Sequence, residues 1–218
     1  MKRTIILFLA AVMGAGARAA VPIDTLFAKM PDRLLPVLDW DNRLDCLDLY
    51  NSKMRAEVTN VFGERSRLVA KTEDYLRVDL SASSRMELKV LPHGADTIVG
   101  LIHTVLTPAA DSRIDFFTPD WKPLDSVYVR MPESGCFWKR PDSMTAERYD
   151  ELRSGAGIPW VEASFSPEGD TLTMCLSLDN VRSDWREDME RCMQKVAYRW
   201  NGSRFEAIAQ EDSSVRED

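Results

Sequence analysis

The side chains able to do chemistry are few and widely spaced. His93 and His103 are the only histidines. Neither belongs to an H-E-x-x-H pattern, in which two imidazoles one helical turn apart hold zinc and the glutamate serves as base. A zinc site would need to join them through carboxylates or thiolates from elsewhere. The spacing therefore calls for no metal and no other cofactor. No serine stands in a G-x-S-x-G elbow, and Ser154-Gly-Ala-Gly157 suits the C-cap of a predicted helix. Glu133-Ser-Gly-Cys136-Phe-Trp138 lacks the first Cys and Gly of the thiol-protease nucleophile segment, and no histidine follows Cys136. Asp39-Trp-Asp41-Asn42 begins like a calcium loop, but Leu44 occupies the position that needs glycine. A glycosidase pair cannot be picked from 35 acidic residues, because its defining separation is spatial. No catalytic residue is assigned.

Six tryptophans remain. Trp185 has the spacing of a helical core position. Trp121, Trp138, Trp160 and Trp200 fall near predicted strand ends and loops. Exposed there, they would stack on sugar rings or anchor a protein partner; buried, they would close the ends of the core.

The elements that must position these residues follow from periodicity. Residues 24–54 read as helices. Asp24 caps a short one ended by Pro31. Asp41 caps a longer one, whose Leu44, Leu47, Tyr50 and Met54 mark one buried face. From Ser66 the period becomes two. Leu76, Val78 and Leu80, then Met86, Leu88 and Val90, alternate with charged residues. Residues 98–106 are apolar on both faces, as in a central strand. Ile114–Phe117 and Trp121–Leu124 flank the turn Thr118-Pro119-Asp120. The second half repeats the order. Ser143 or Thr145 caps a helix, strands follow at 161–165 and 172–178, then a helix near Trp185. Asn201-Gly202 makes a two-residue hairpin turn.

The expected class is α+β: N-terminal helices followed by an antiparallel meander. Residues 20–125 form a first helix-plus-meander half and 126–208 a second. The match of 94–106 with 168–178, and of 112–124 with 195–208, fits tandem repeats and convergent hairpins about equally.

Lys2 and Arg3, the apolar run Thr4–Met13 and the A-x-A of Ala17-Arg18-Ala19 have the layout of a secretory signal peptide, residues 1–19. No later run is long enough to span a bilayer, so no membrane insertion is expected after cleavage. Removing the leader leaves 25 basic against 35 acidic residues, a formal charge of −10. Such a chain repels phosphate backbones, which argues against nucleic acid as a partner. Cys46, Cys136, Cys175 and Cys192 match no metal spacing and leave thiols or any of three disulfide pairings open. The acidic tail, 209–218, is expected to be disordered.

The string TLFAKMPDRLLPVLDWDNRLDCLDLYNSKMRAEVTNVFG, followed by EDYLRVDLS and DSRIDFF-x3-W, resembles a family of small exported Bacteroidales proteins catalogued as a domain of unknown function. The resemblance spans about residues 24–206 and rests on apolar, Asp, Pro and Gly positions. It implies a periplasmic or secreted location in a Gram-negative bacterium and supplies no activity or site residue. The expectation is a non-catalytic exported protein that binds a protein or envelope component. The alternatives are a secreted glycan hydrolase, or a glycan-binding module presenting Trp121, Trp138, Trp160 and Trp200.

Overall fold

In a computed structural model, which describes residues 21–208, helix α1 covers Ile23–Ala28 and α2 covers Trp40–Asn51. The α2 cap is Asp39, two residues earlier than the expected Asp41: its Oδ1 accepts from Asn42 N at 2.8 Å. Asp24 is likewise no cap. Pro22 precedes α1, and Asp24 sits in its first turn, paired with Lys71 at 2.7 Å. The buried face of α2 is also turned from the expected one. Arg43, Cys46 and Leu47 are buried and Met54 is exposed. Arg43 tolerates burial because its guanidinium donates to Met30 O and, at 2.7 Å, to Asp32 Oδ1.

Six strands follow as a simple antiparallel meander. They are β1 (Glu57–Thr59), β2 (Arg65–Lys71), β3 (Tyr75–Ser81), β4 (Ser84–His93), β5 (Asp96–Val105) and β6 (Asp111–Phe117). One face carries Leu76, Val78, Met86, Leu88, Val99 and Leu101 and packs under Leu26, Phe27 and Leu47 of the helices. The other face carries Tyr75, Ile98, Ile102 and Phe116 and meets a second sheet. That sheet has the order β10-β9-β8-β7, with β7 at Val161–Phe165, β8 at Thr171–Leu176, β9 at Val196–Trp200 and β10 at Phe205–Ala207. Helices α3 (Ala146–Gly155) and α4 (Arg186–Cys192) close a small third core around Leu152 and Met189. Thr145 caps α3 by accepting from Arg148 N at 3.3 Å.

The protein is therefore α+β, with N-terminal helices preceding two antiparallel sheets. The segments 94–106 and 168–178 contain the inner strands β5 and β8. The two sheets differ in strand number, and α4 interrupts the chain between β8 and β9. Segment 121–124 forms no strand; it contributes only an isolated bridge from Pro123 to Phe117. The β9–β10 loop is wider than a two-residue turn. Residues 201–204 form it, only Gly202 has positive φ, and Asn201 Oδ1 accepts from Ser203 N and Arg204 N at 2.9 Å each. All four cysteines are free thiols. The expected leader, 1–19, and tail, 209–218, lie outside the described residues.

The contact between the sheets is polar where β7 crosses β4 to β6. The N–H groups of Val161, Ala163 and Phe165 face away from β8. They donate to Asp111 Oδ1 (3.2 Å), Ser112 Oγ (2.9 Å) and Glu87 Oε2 (2.9 Å). Three side chains of the first sheet thus complete the edge of the second. Glu87 is 1% exposed and also accepts from Ser164 Oγ at 3.2 Å. Burial raises its pKa, opposed by the Phe165 N–H, Arg85, the Ser164 hydroxyl and Arg77. Beside it, buried Lys89 pairs with Asp74 at 2.8 Å and donates to Ser166 O at 3.2 Å, and Arg85 pairs with Glu162. Gly100 lies under the same crossing: a Cβ there would stand 2.7 Å from Phe165 Cζ.

Gly100→Ala is expected to cost about 1–3 kcal/mol by overpacking. The added substitution Phe165→Leu should cost less in that background than alone, as read by urea denaturation of the four proteins of the cycle. Additive costs would contradict the contact. Because the folded pKa of Glu87 is raised, its contribution is fully present below about 4.5 and is lost as pH climbs through the raised value. Glu87→Gln keeps an acceptor and removes the titration. The stability difference between wild type and E87Q should therefore shift against wild type as pH rises; a pH-independent difference would contradict this.

Candidate functional site

The chain leaving β6 borders two clefts. Trp121 N donates to Thr118 O at 2.9 Å and Lys122 N to Thr118 Oγ1 at 3.2 Å, closing a tight turn. Trp121 adopts φ +60, an unusual conformation for a bulky residue. Its indole lies in the helix-side core beside Phe117, with ring centroids 5.6 Å apart. The chain then folds back on β6 through Leu124 N to Phe116 O at 2.9 Å. It continues to the second sheet, where Tyr128 O accepts from Phe205 N at 2.7 Å and Arg130 O from Tyr198 Oη at 3.1 Å. Residues 118–130 are thus a strap fastened at both ends.

A cleft opens on each side of the strap, and Leu124 and Tyr128 line both. The first, of about 430 Å³, lies against the β4–β5 turn and is lined by His93, Asp96, Thr97 and Asp120. The His93 ring meets Tyr128 edge-on at 5.6 Å and is tilted against Trp200 at 6.1 Å. His93 Nδ1 is buried without a hydrogen-bond partner.

The second cleft, of about 640 Å³, lies on the helix side and is lined by Arg33, Leu34, Leu101, His103, Arg113 and Asp115. His103 faces Arg113 across the β5–β6 ladder, and Arg113 Nε pairs with Asp115 at 2.9 Å. Burial lowers the His103 pKa; Asp115 opposes this and Arg113 adds to it. Arg33 donates to Trp121 O at 3.3 Å and makes no ion pair among the described residues.

The histidines do not meet. His103 is opposite Met86 in the ladder and His93 is seven residues further along β4, about 23 Å at the rise of a strand. Among the described residues no group of three or more His, Cys, Asp or Glu is placed to hold a metal. No described helix is long and apolar enough to cross a membrane.

The four tryptophans do not share a face. Trp121 and Trp200 are each 4% exposed, the first in the helix-side core and the second between the sheets. Trp200 Nε1 donates to Pro92 O at 2.6 Å. Trp138 is half-buried against Tyr149, with ring centroids 6.2 Å apart, and Trp160 is half-buried just before β7. The cleft residues Tyr128, Asp96, Asp120 and Arg33 carried no motif. His103, expected on a central strand, lies on β5 on the face of Val99 and Leu101.

Two face-packed antiparallel sheets under N-terminal helices, joined by a strap with a cleft on each side, define the architecture. The chain belongs to the family described as "Protein of unknown function (DUF3256)", whose model matches residues 17–205. Among solved structures, a domain of an uncharacterized protein from Porphyromonas gingivalis W83 superposes with a TM-score of 0.69 at 22% identity. The match covers 88% of this chain and 100% of that one. The likeness is one of fold, and its source is a Bacteroidales species, as the resemblance implied. No curated protein matches.

In an NMR titration His103 should lose its proton below the ordinary value of 6.5. Asp115→Asn, by removing the charge that opposes the shift, should lower it further. An unchanged or raised value in D115N would contradict the geometry.

Proposed function

We propose that this chain is exported from a Gram-negative bacterium and acts in the periplasm or outside the cell as a binding protein. Its seat is the cleft between the strap and the β4–β5 turn. The observation that carries this is the lining of that cleft: the half-buried His93 ring and Leu124, with the exposed edge of the otherwise buried Tyr128, offer an apolar surface, and Asp96, Asp120 and Thr97 line it with them. An aromatic surface ringed by acceptors suits a polyhydroxylated ligand, which stacks its C–H face and donates its hydroxyls. A glycan fragment of the cell envelope is the ligand class of best fit. The aromatic contact comes from Tyr128 and His93 in place of an array of tryptophans. Support for export comes from the basic start, apolar run and A-x-A site of residues 1–19, and from the acidic balance of the remainder.

Full-length chain expressed in a Gram-negative host should be recovered from the periplasm or medium beginning near Ala20. Recovery from the cytoplasm with the leader intact would overturn export. Soluble envelope glycan fragments should shift the His93 ring signals in a saturable way. Asp120→Asn should weaken that binding about tenfold, the effect of one charge-assisted hydrogen bond. Absence of any saturable shift would remove this seat, and new reducing ends released by wild type but not by D120N would replace binding with hydrolysis.

A further inference from the structure

The wider cleft on the other side of the strap has a different chemistry. Of its two arginines, Arg113 is committed to Asp115 through Nε at 2.9 Å, so those charges cancel locally. Arg33 has only the carbonyl of Trp121 and no carboxylate partner among the described residues. The His103 side chain makes no hydrogen bond among the described residues, its backbone being held in the β5 ladders. The apolar lining that stays open is Leu34 and the exposed Val127, over the buried Leu101 and Phe117. On the strap side stands Asp125, which is not ion-paired to Arg33. The cleft thus joins an arginine without a carboxylate partner among the described residues to apolar lining, within the size range of small-ligand sites.

The geometry points to a second binding site here, one that takes a small amphipathic anion. Its carboxylate or phosphate head seats on Arg33, and its alkyl body lies on Leu34 and Val127. Arg33 is the donor that fits: a guanidinium presents paired N–H groups to either head group, and one of its N–H positions is already fixed by Trp121 O. The inference stands on residues other than those of the His93 cleft.

His103 makes the site sensitive to pH. The charged groups that share its cleft are Arg113 and Asp115 of β6, Arg33 of the segment between α1 and α2, and Asp125 of the strap; its neighbour on β4, Met86, carries no charge. Desolvation pushes the imidazole pKa down and so favours its neutral form. An anion beside it favours the protonated form, so the bound anion should raise the His103 titration point and bind more tightly as pH falls.

The test uses the full chain, with the two histidine rings as separate reporters of the two clefts. Octanoate and octyl phosphate, each below its micellar concentration, should move the His103 signals saturably at one-to-one stoichiometry and leave His93 in place. Acetate and inorganic phosphate should bind at least about tenfold more weakly, having no body to bury. Octylamine should not saturate. Arg33→Gln, at an exposed position, should fold with an unchanged melting temperature and lose about tenfold or more in octanoate affinity. The ratio of octanoate to octyl phosphate affinity assigns the head group as carboxylate or phosphate. The inference is overturned if R33Q binds like wild type, if octylamine matches octanoate, if the bare anions match the octyl ligands, or if no ligand moves His103. Each of those results leaves the glycan reading of the His93 cleft untouched, and failure of that reading leaves this one untouched.

Discussion

Glu87 accepts hydrogen bonds from the Phe165 N–H and the Ser164 hydroxyl in a place almost closed to water. A carboxylate there is expensive unless its acceptors are filled and cations stand near. Phe165, Ser164, Arg85 and Arg77 supply those conditions together, and all four must be in place at once. That requirement sets where β7 crosses the first sheet. The crossing sets the position of β9 and β10, which brings Trp200 Nε1 to Pro92 O and Phe205 N to Tyr128 O. The strap and its clefts are downstream of one buried acid.

The strap itself depends on a second anchor. Trp121 takes an unfavourable backbone conformation so that its indole can enter the helix-side core. Burial of so large a side chain outweighs the local strain. With Trp121 fixed below and Tyr128 fixed to β10, the residues between them have little freedom. A wall fastened at both ends suits a preformed binding surface, which loses less entropy on ligand capture than a mobile loop would.

Much of the fold was legible because its signals are local. Leu76, Val78 and Leu80 against Arg77 and Asp79 announce a strand with one apolar face, and the structure adds only that the charged face is partly covered too. Thr145 caps its helix as its type suggests. Three features were hidden because they depend on partners far along the chain. Arg43 reads as a surface residue until Met30 O and Asp32 are beside it. Trp121 and Trp200 read as loop aromatics until the two cores that receive them exist. The cleft residues come from four separate segments, with no spacing to link them; the imidazoles looked idle because neither has its neighbours in sequence.

The seam of Glu87, Lys89, Arg77 and Arg85 has a further consequence for how the molecule fails. A sandwich joined by a purely greasy plane exposes adhesive surface whenever its layers part. Here the parting layers would uncover a band of ionic groups, which water solvates at once, alongside the apolar core of Ile102, Phe116 and Phe165. Hydration of that charged band offsets part of the adhesive surface an opened molecule would show to the next.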